Sequence, residues 1–381
     1  MTYFNNTKKT LTKDAKQYIW LDLIRGIAAL AVFSGHLRVI CIKDTPVSDL
    51  DILGKVVFFF TGFSHLAVMI FFVLSGFLII KSIDQSFQNG KFKINNYLIA
   101  RVSRLWTVLF PCLILGWIFD RFGLAYLSDT LFYSNESKYF YHNDLASRLS
   151  FEYFLGNLFF LQNILVPTFG SNDATWTLAN EFWYYITFPL IYLASFLKMK
   201  IVFRAALLIL AIGILFFVGE KIALYFIVWL FGGISYIMTK HATESLLQNK
   251  ILKIVLSTTF IMFIVLLRSK QYPLIFNYYS LSFFFAILIP FLVQPNFNNL
   301  LARKISIYLS NISYTLYLSH LPFIYFITSI ARFQEQPWEK KTFLVYIAFA
   351  ILTLLYSTLL WYIFERNTER IKKFILSMVH S

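Results

Sequence analysis

The sequence predicts an all-α fold: a polytopic transmembrane bundle of about ten spanning helices with one re-entrant or interfacial segment. Three observations predict it. Apolar runs close to the ~20 residues needed to cross hydrocarbon recur from end to end. The composition agrees, since 58% of the 381 residues are hydrophobic, 14% are charged and the mean hydropathy is +0.65. Charge also alternates from loop to loop. With spans at 18–40, 56–80, 102–119, 176–197, 201–219, 222–239, 251–267, 274–294, 306–331 and 342–364, both termini share one side. That side carries 21 of the 34 Lys and Arg against 11 on the other, while Asp and Glu divide 5 against 12. The positive-inside rule makes the basic side cytoplasmic. The net charge of +15 therefore reports topology and not a nucleic-acid surface.

Residues 1–17 read as a cytoplasmic N-terminal tail, 18–365 as the membrane domain and 366–381 as a cytoplasmic C-terminal tail. The first apolar stretch is too long for a secretory core and no small-residue cleavage pattern follows it, so it is expected to stay as a span. Within it Arg25 and His36 stand eleven positions apart. Eleven steps of a helix make three turns plus about 20°, so both side chains leave on nearly one face, about 16 Å apart along the axis. An arginine deep in a span costs about 2.5–3.5 kcal/mol on insertion scales and so faces protein or a wet cavity. The bland alternative pairs Arg25 with Asp22, one turn earlier, and leaves His36 as an interface marker.

The second span ends in FFVLSGFLII, where Ser75 and Gly76 make a small, polar step suited to close helix packing. Residues 81–100 are expected to form a cytoplasmic connector with a short surface helix. It leads to Arg101 and Arg104, three apart on one helical face, which suit a phosphate or, equally on charge, lipid head groups. The outer loop at 120–150 is rich in Tyr, Asn and Ser. Residues 151–165 are apolar but too few to span, hence the re-entrant or interfacial reading. Asp173 or Thr175 can cap the helix that begins near Trp176 and carries Glu181, a carboxylate among aromatics that is expensive unless paired or functional. Spans between 201 and 294 hold few charges and read as scaffold. The ninth span places Tyr314, Tyr317, His320 and Pro322 together, with Tyr317 and His320 on one face. Cys41 and Cys112 give no argument for pairing, and the six scattered histidines offer no metal-ligand cluster.

Taken jointly, these motifs resemble the integral-membrane acyltransferase family 3, whose members O-acetylate bacterial polysaccharides. The pieces are Arg25 with His36, FFVLSGFLI at 71–79, Arg101 with Arg104, Trp176-Thr-Leu with Glu181 and Tyr185, SYTLYLSHLP at 313–322 and Tyr362 to Arg366, in order over 18–370. Thr107, Thr177 and Asn367 stand where the family pattern has proline, serine and proline. The hydrolase-like domain fused to some members is not expected here.

The resemblance implies an acyl-CoA-dependent O-acyltransferase in the bacterial inner membrane, passing an acyl group, most simply acetyl from acetyl-CoA, to a hydroxyl of a surface glycan or lipid-linked sugar. It implies His36 as general base or acyl carrier with Glu181 orienting it. Arg25, Arg101, Arg104 and Ser75 fall to the acyl-CoA side, and Trp176, Tyr185, Tyr317 and His320 to the acceptor side. No metal and no nucleic acid are expected, the bilayer is the surroundings, and a homodimer is left open. Two other readings stand beside it: a transporter, because polar residues inside a bundle also mark solute paths, and a subunit that hands acyl groups to a partner transferase.

Overall fold

The computed structural model describes residues 18–134, 145–269, 273–293 and 299–380. It is an all-α polytopic bundle. The predicted tail at 1–17 lies outside the described residues. The helices are α1 Ile19–Cys41, α2 Ile52–Thr61, α3 Ser64–Gln88, α4 Ile94–Tyr126, α5 Phe151–Leu158, α6 Trp176–Phe196 and α7 Ile201–Val218. They continue with α8 Glu220–His241, α9 Glu244–Gln248, α10 Lys250–Ser269, α11 Leu274–Leu292, α12 Leu300–Ile330, α13 Lys340–Ile363 and α14 Thr368–His380.

Eight helical stretches among the described residues are long and apolar enough to cross a membrane. The two predicted spans outside that set are α6, of 21 residues, and α12, of 31, both long enough but diluted by polar side chains. These are the helices that carry Glu181 and His320. The eight-residue α5 rises only about 12 Å, so 151–165 does not span. One segment differs from expectation. No separate surface helix fills 81–100: α3 runs on to Gln88 and α4 starts at Ile94 across a turn at Gly90. Helix α4 runs on for 33 residues, about 50 Å, with Pro111 inside it. Past α13, Thr368–His380 forms α14, which packs along α4.

The chain divides into two compact units. The first comprises Met1–Val32, Gly62–Gln85 and Ile227–Ser313. Its close crossings depend on glycine. A Cβ on Gly76 would lie 1.9 Å from the Trp229 carbonyl oxygen, and one on Gly232 would lie 2.1 Å from that of Val73. Backbone meets backbone there, which is the packing that small residues permit in membranes. At the end of α3, Asp84 accepts from Tyr236 Oη at 2.6 Å and Lys240 Nζ at 2.8 Å.

The second unit comprises Phe33–Thr61, Ser86–Phe226 and Tyr314–Ser381. Here α6 packs along α7 and α14 along α4. Two carboxylates outside the spans brace its loops. Asp51 accepts from the Gly54 N–H at 2.7 Å and the Trp338 indole at 2.8 Å, which together hold its carboxyl below the usual range. A hydrogen bond from Arg332 does the same for Asp129.

Candidate active site

The second unit joins two histidines that are far apart in sequence. His36, on the last turns of α1, and His320, in the second half of α12, meet with Nδ1 of the first 2.8 Å from Nε2 of the second. Their ring planes differ by 10° and their centroids lie 5.1 Å apart. His320 is 0% exposed, its Nδ1 is 2.9 Å from the Leu316 carbonyl oxygen, and the Phe33 ring meets it edge-on. His36 is half-buried.

The turn that carries His320 is held from outside the helix. Pro322 has no N–H, so the Leu318 carbonyl loses its helical donor. Asn172 replaces it, donating from Nδ2 at 2.7 Å. Asn172 belongs to the segment between α5 and α6, which is stitched by buried polar groups instead of lying open as a surface loop. Asn157 Nδ2 donates to the Tyr153 and Pro167 carbonyls, and its Oδ1 accepts from the Phe169 N–H at 3.0 Å. Gln162 donates to the Thr175 carbonyl at 2.9 Å. Asp120, buried on α4, accepts from both the N–H and the hydroxyl of Ser171 at 2.8 Å. Gly170 has φ +57°, and a Cβ there would lie 2.4 Å from Asp120 Oδ2, so only glycine fits the turn. Thr177 then donates to Tyr317 Oη at 3.2 Å, a second tie between α6 and α12.

A charged cluster lies in the same unit. Arg104 Nη1 on α4 is 2.7 Å from Glu365 Oε1, just past α13. The other oxygen of Glu365 accepts from the hydroxyl and the backbone N–H of Thr315. The Arg104 guanidinium sits 5.2 Å from the centre of the Tyr314 ring, whose hydroxyl donates to the Leu105 carbonyl at 3.1 Å. Glu181 accepts from Tyr185 at 3.0 Å and lies within electrostatic range of Arg104, Tyr314 and Tyr317. Arg101 is over the Tyr97 ring, 5.4 Å from its centre, so the two arginines have different neighbours. Trp176 faces Tyr225 at 5.6 Å between centroids.

Arg25 and Ser75 belong to the first unit. Arg25 pairs with Asp22 at 2.9 Å and also hydrogen-bonds to Ser310, whose hydroxyl in turn donates to Asp22 at 2.8 Å. Ser75 accepts from the Trp229 indole at 3.2 Å. Of the residues singled out from sequence, the structure thus brings together His36 with His320 and Glu181 with Tyr185. Asn157, Asn172, Asp120 and Glu365 were missed. The signal for Asn172 was Pro322, since a proline inside a span demands an outside donor for the freed carbonyl. For Glu365 it was an acidic residue directly at the end of a span, beside Arg366.

A polytopic helical membrane protein with a buried imidazole hydrogen-bonded to a half-buried one, and with buried carboxylates nearby in the chain's second unit, is equipped for proton transfer. Residues 18–362 match the family described as an acyltransferase domain, and the chain belongs to that family, the integral-membrane acyltransferase family 3. It is a membrane acyltransferase. No curated protein and no solved structure matches the chain.

Proposed function

We propose that the protein transfers an acyl group, acetyl in the simplest case, from cytoplasmic acyl-CoA to a hydroxyl of a surface glycan or lipid-linked saccharide. The observation that carries this reading is the hydrogen-bonded His36–His320 pair in a chain of an acyltransferase family. A half-buried imidazole held by another can take the proton of an attacking hydroxyl. The hydroxyl oxygen adds to the thioester carbonyl as its proton passes to His36. The carbon–sulfur bond then breaks, and the thiolate leaves with that proton, so His36 ends neutral. Of the residues this reading uses, His36, His320, Arg101, Arg104, Trp176, Tyr185 and Tyr317 belong to the second unit, and Arg25 and Ser75 to the first. Arg101 and the Arg104 donors not turned to Glu365 suit the donor's phosphates, because a guanidinium carries five N–H groups. The aromatic groups of Trp176, Tyr185 and Tyr317 suit a sugar. On this reading the protein sits in the bacterial inner membrane with both termini cytoplasmic, as the charge asymmetry supports.

The test supplies purified protein with labelled acetyl-CoA and candidate glycans. Ester formed by wild type and not by His36→Ala is the expected result. Solute movement without release of CoA, or label that moves only when a second protein is added, would overturn it.

A further inference from the structure

We propose that His320 is a positioning residue that holds His36 in its Nδ1–H tautomer and so makes His36 Nε2 the atom that takes the proton. This rests on the acyl-transfer reading of His36 and adds to it which nitrogen reacts and what selects it.

The Leu316 carbonyl can only accept. His320 Nδ1, 2.9 Å away, therefore carries the hydrogen. A neutral imidazole has one N–H, so His320 Nε2 presents a lone pair. His320 is 0% exposed with the Phe33 ring against it, an enclosure that suits the neutral ring and not an imidazolium. The nitrogen that faces this lone pair at 2.8 Å is His36 Nδ1, which must then be the donor. Ring geometry agrees. The 5.1 Å between centroids equals the 2.8 Å contact plus the two ring radii, so the line between the nitrogens passes through both ring centres. With the planes only 10° apart, the rings lie edge to edge in nearly one plane, and the N–H points along the lone pair.

The consequence follows for His36. In water a neutral histidine side chain prefers its proton on Nε2, which would leave its only lone pair on Nδ1, the nitrogen that faces His320. Donation from Nδ1 to His320 reverses that preference and leaves Nε2 with its lone pair. When Nε2 takes the hydroxyl proton, the Nδ1–H bond to His320 shares the positive charge until the thiolate removes the proton. The backbone of one turn of α12 thus sets the protonation pattern of a residue on α1 through a single intermediate ring. This is the second-partner logic by which the hydrogen bond at one ring nitrogen decides the role of the other.

The experiment uses full-length protein in lipid nanodiscs with ¹⁵N-labelled histidine, read by solid-state NMR, the His36 signals being assigned by their loss in His36→Gln. Wild type is expected to show a protonated Nδ1 and a bare Nε2 at His36. In His320→Asn no acceptor reaches the former Nε2 position. There His36 should revert to Nε2–H, and kcat should fall by about 10²–10⁴-fold, the range of a lost general base, with KM for acyl-CoA unchanged. His320→Gln, whose side-chain oxygen extends to that position, should recover part of both. A wild-type His36 protonated at Nε2 overturns the proposal whether or not any variant folds. So does a His320→Asn protein whose His36 keeps its tautomer, or whose loss lies in KM. If wild type formed no ester yet showed the Nδ1–H form, the transfer reading would fail and the tautomer assignment would stand.

Discussion

Glu365→Gln is the sharpest probe of what holds the charged cluster together. The carboxylate receives Arg104 Nη1 on one oxygen at 2.7 Å and both donors of Thr315 on the other. Its side chain is 3% exposed and that of Arg104 is 42% exposed. Removing one partner of a buried pair costs about 3–5 kcal/mol, because the other charge stays without its counterpart. Here the remaining charge would be the guanidinium, which is partly in contact with the surroundings and can turn outward on its apolar stem. Glutamine also keeps a carbonyl oxygen for Thr315. Both facts place the cost at about 2–3 kcal/mol. Arg104→Met leaves the enclosed carboxylate behind instead, with no route outward, and should cost about 3–5 kcal/mol. The double variant has neither charge, so it should be more stable than the sum of the single losses predicts, with an interaction energy of about 2–3 kcal/mol. Unfolding in mixed micelles of rising SDS fraction, followed by the fluorescence of the eight tryptophans, measures all four corners of the cycle. Additivity to within about 0.5 kcal/mol would show that the two groups do not support each other and would refute the reasoning.

Asn172→Leu should cost about 1–3 kcal/mol in the same unfolding assay, because it leaves the Leu318 carbonyl buried without a donor. Asn172→Asp should be no better, since an ionised carboxylate cannot donate; a stable Asp variant would contradict the assignment. Asp51 and Asp129, whose folded carboxyls titrate below the ordinary 3.8, should stabilise their loops fully above that value. That support should fade as pH falls below about 4 through the lowered folded values. Hydrogen exchange at Gly54 and around Arg332 should then accelerate in acid, and Asp51→Asn and Asp129→Asn should each flatten the dependence at their own loop.

Much of the fold was legible because apolar length is a strong signal, and α6 and α12 were legible as long helices even though polar residues lower their hydropathy. Arg25 with Asp22 was legible as well, since helical neighbours three apart meet whatever the tertiary structure. The His36–His320 contact was not, because nothing in local spacing connects residues 284 positions apart. Arg101 and Arg104 share a helical face, as their spacing required, yet spacing says nothing of the neighbours that arrive from elsewhere: Tyr97 for one, Glu365 and Tyr314 for the other. The segment 159–175 was hardest to read. Its Asn, Gln, Ser and Thr resemble those of any aqueous loop, and only the donors and acceptors they meet, such as Asp120 and the Leu318 carbonyl, make it an interior one.

Those partners explain why a proline is tolerated so near an imidazole. A continuous helix would close the Leu318 carbonyl on its own ladder, and the segment before α6 would have no point of attachment at that height. Pro322 opens the ladder at one rung, and Asn172 occupies it. Two residues back, the Leu316 carbonyl has His320 Nδ1 at 2.9 Å. Within a single turn, one carbonyl therefore orients the ring from inside the helix, and another fixes the turn from outside it. A ring in which one nitrogen must present a lone pair to His36 needs both its rotation and its height set. A helix held only by apolar side chains could slide or turn at little cost, whereas two directional hydrogen bonds to the backbone of one turn resist both movements.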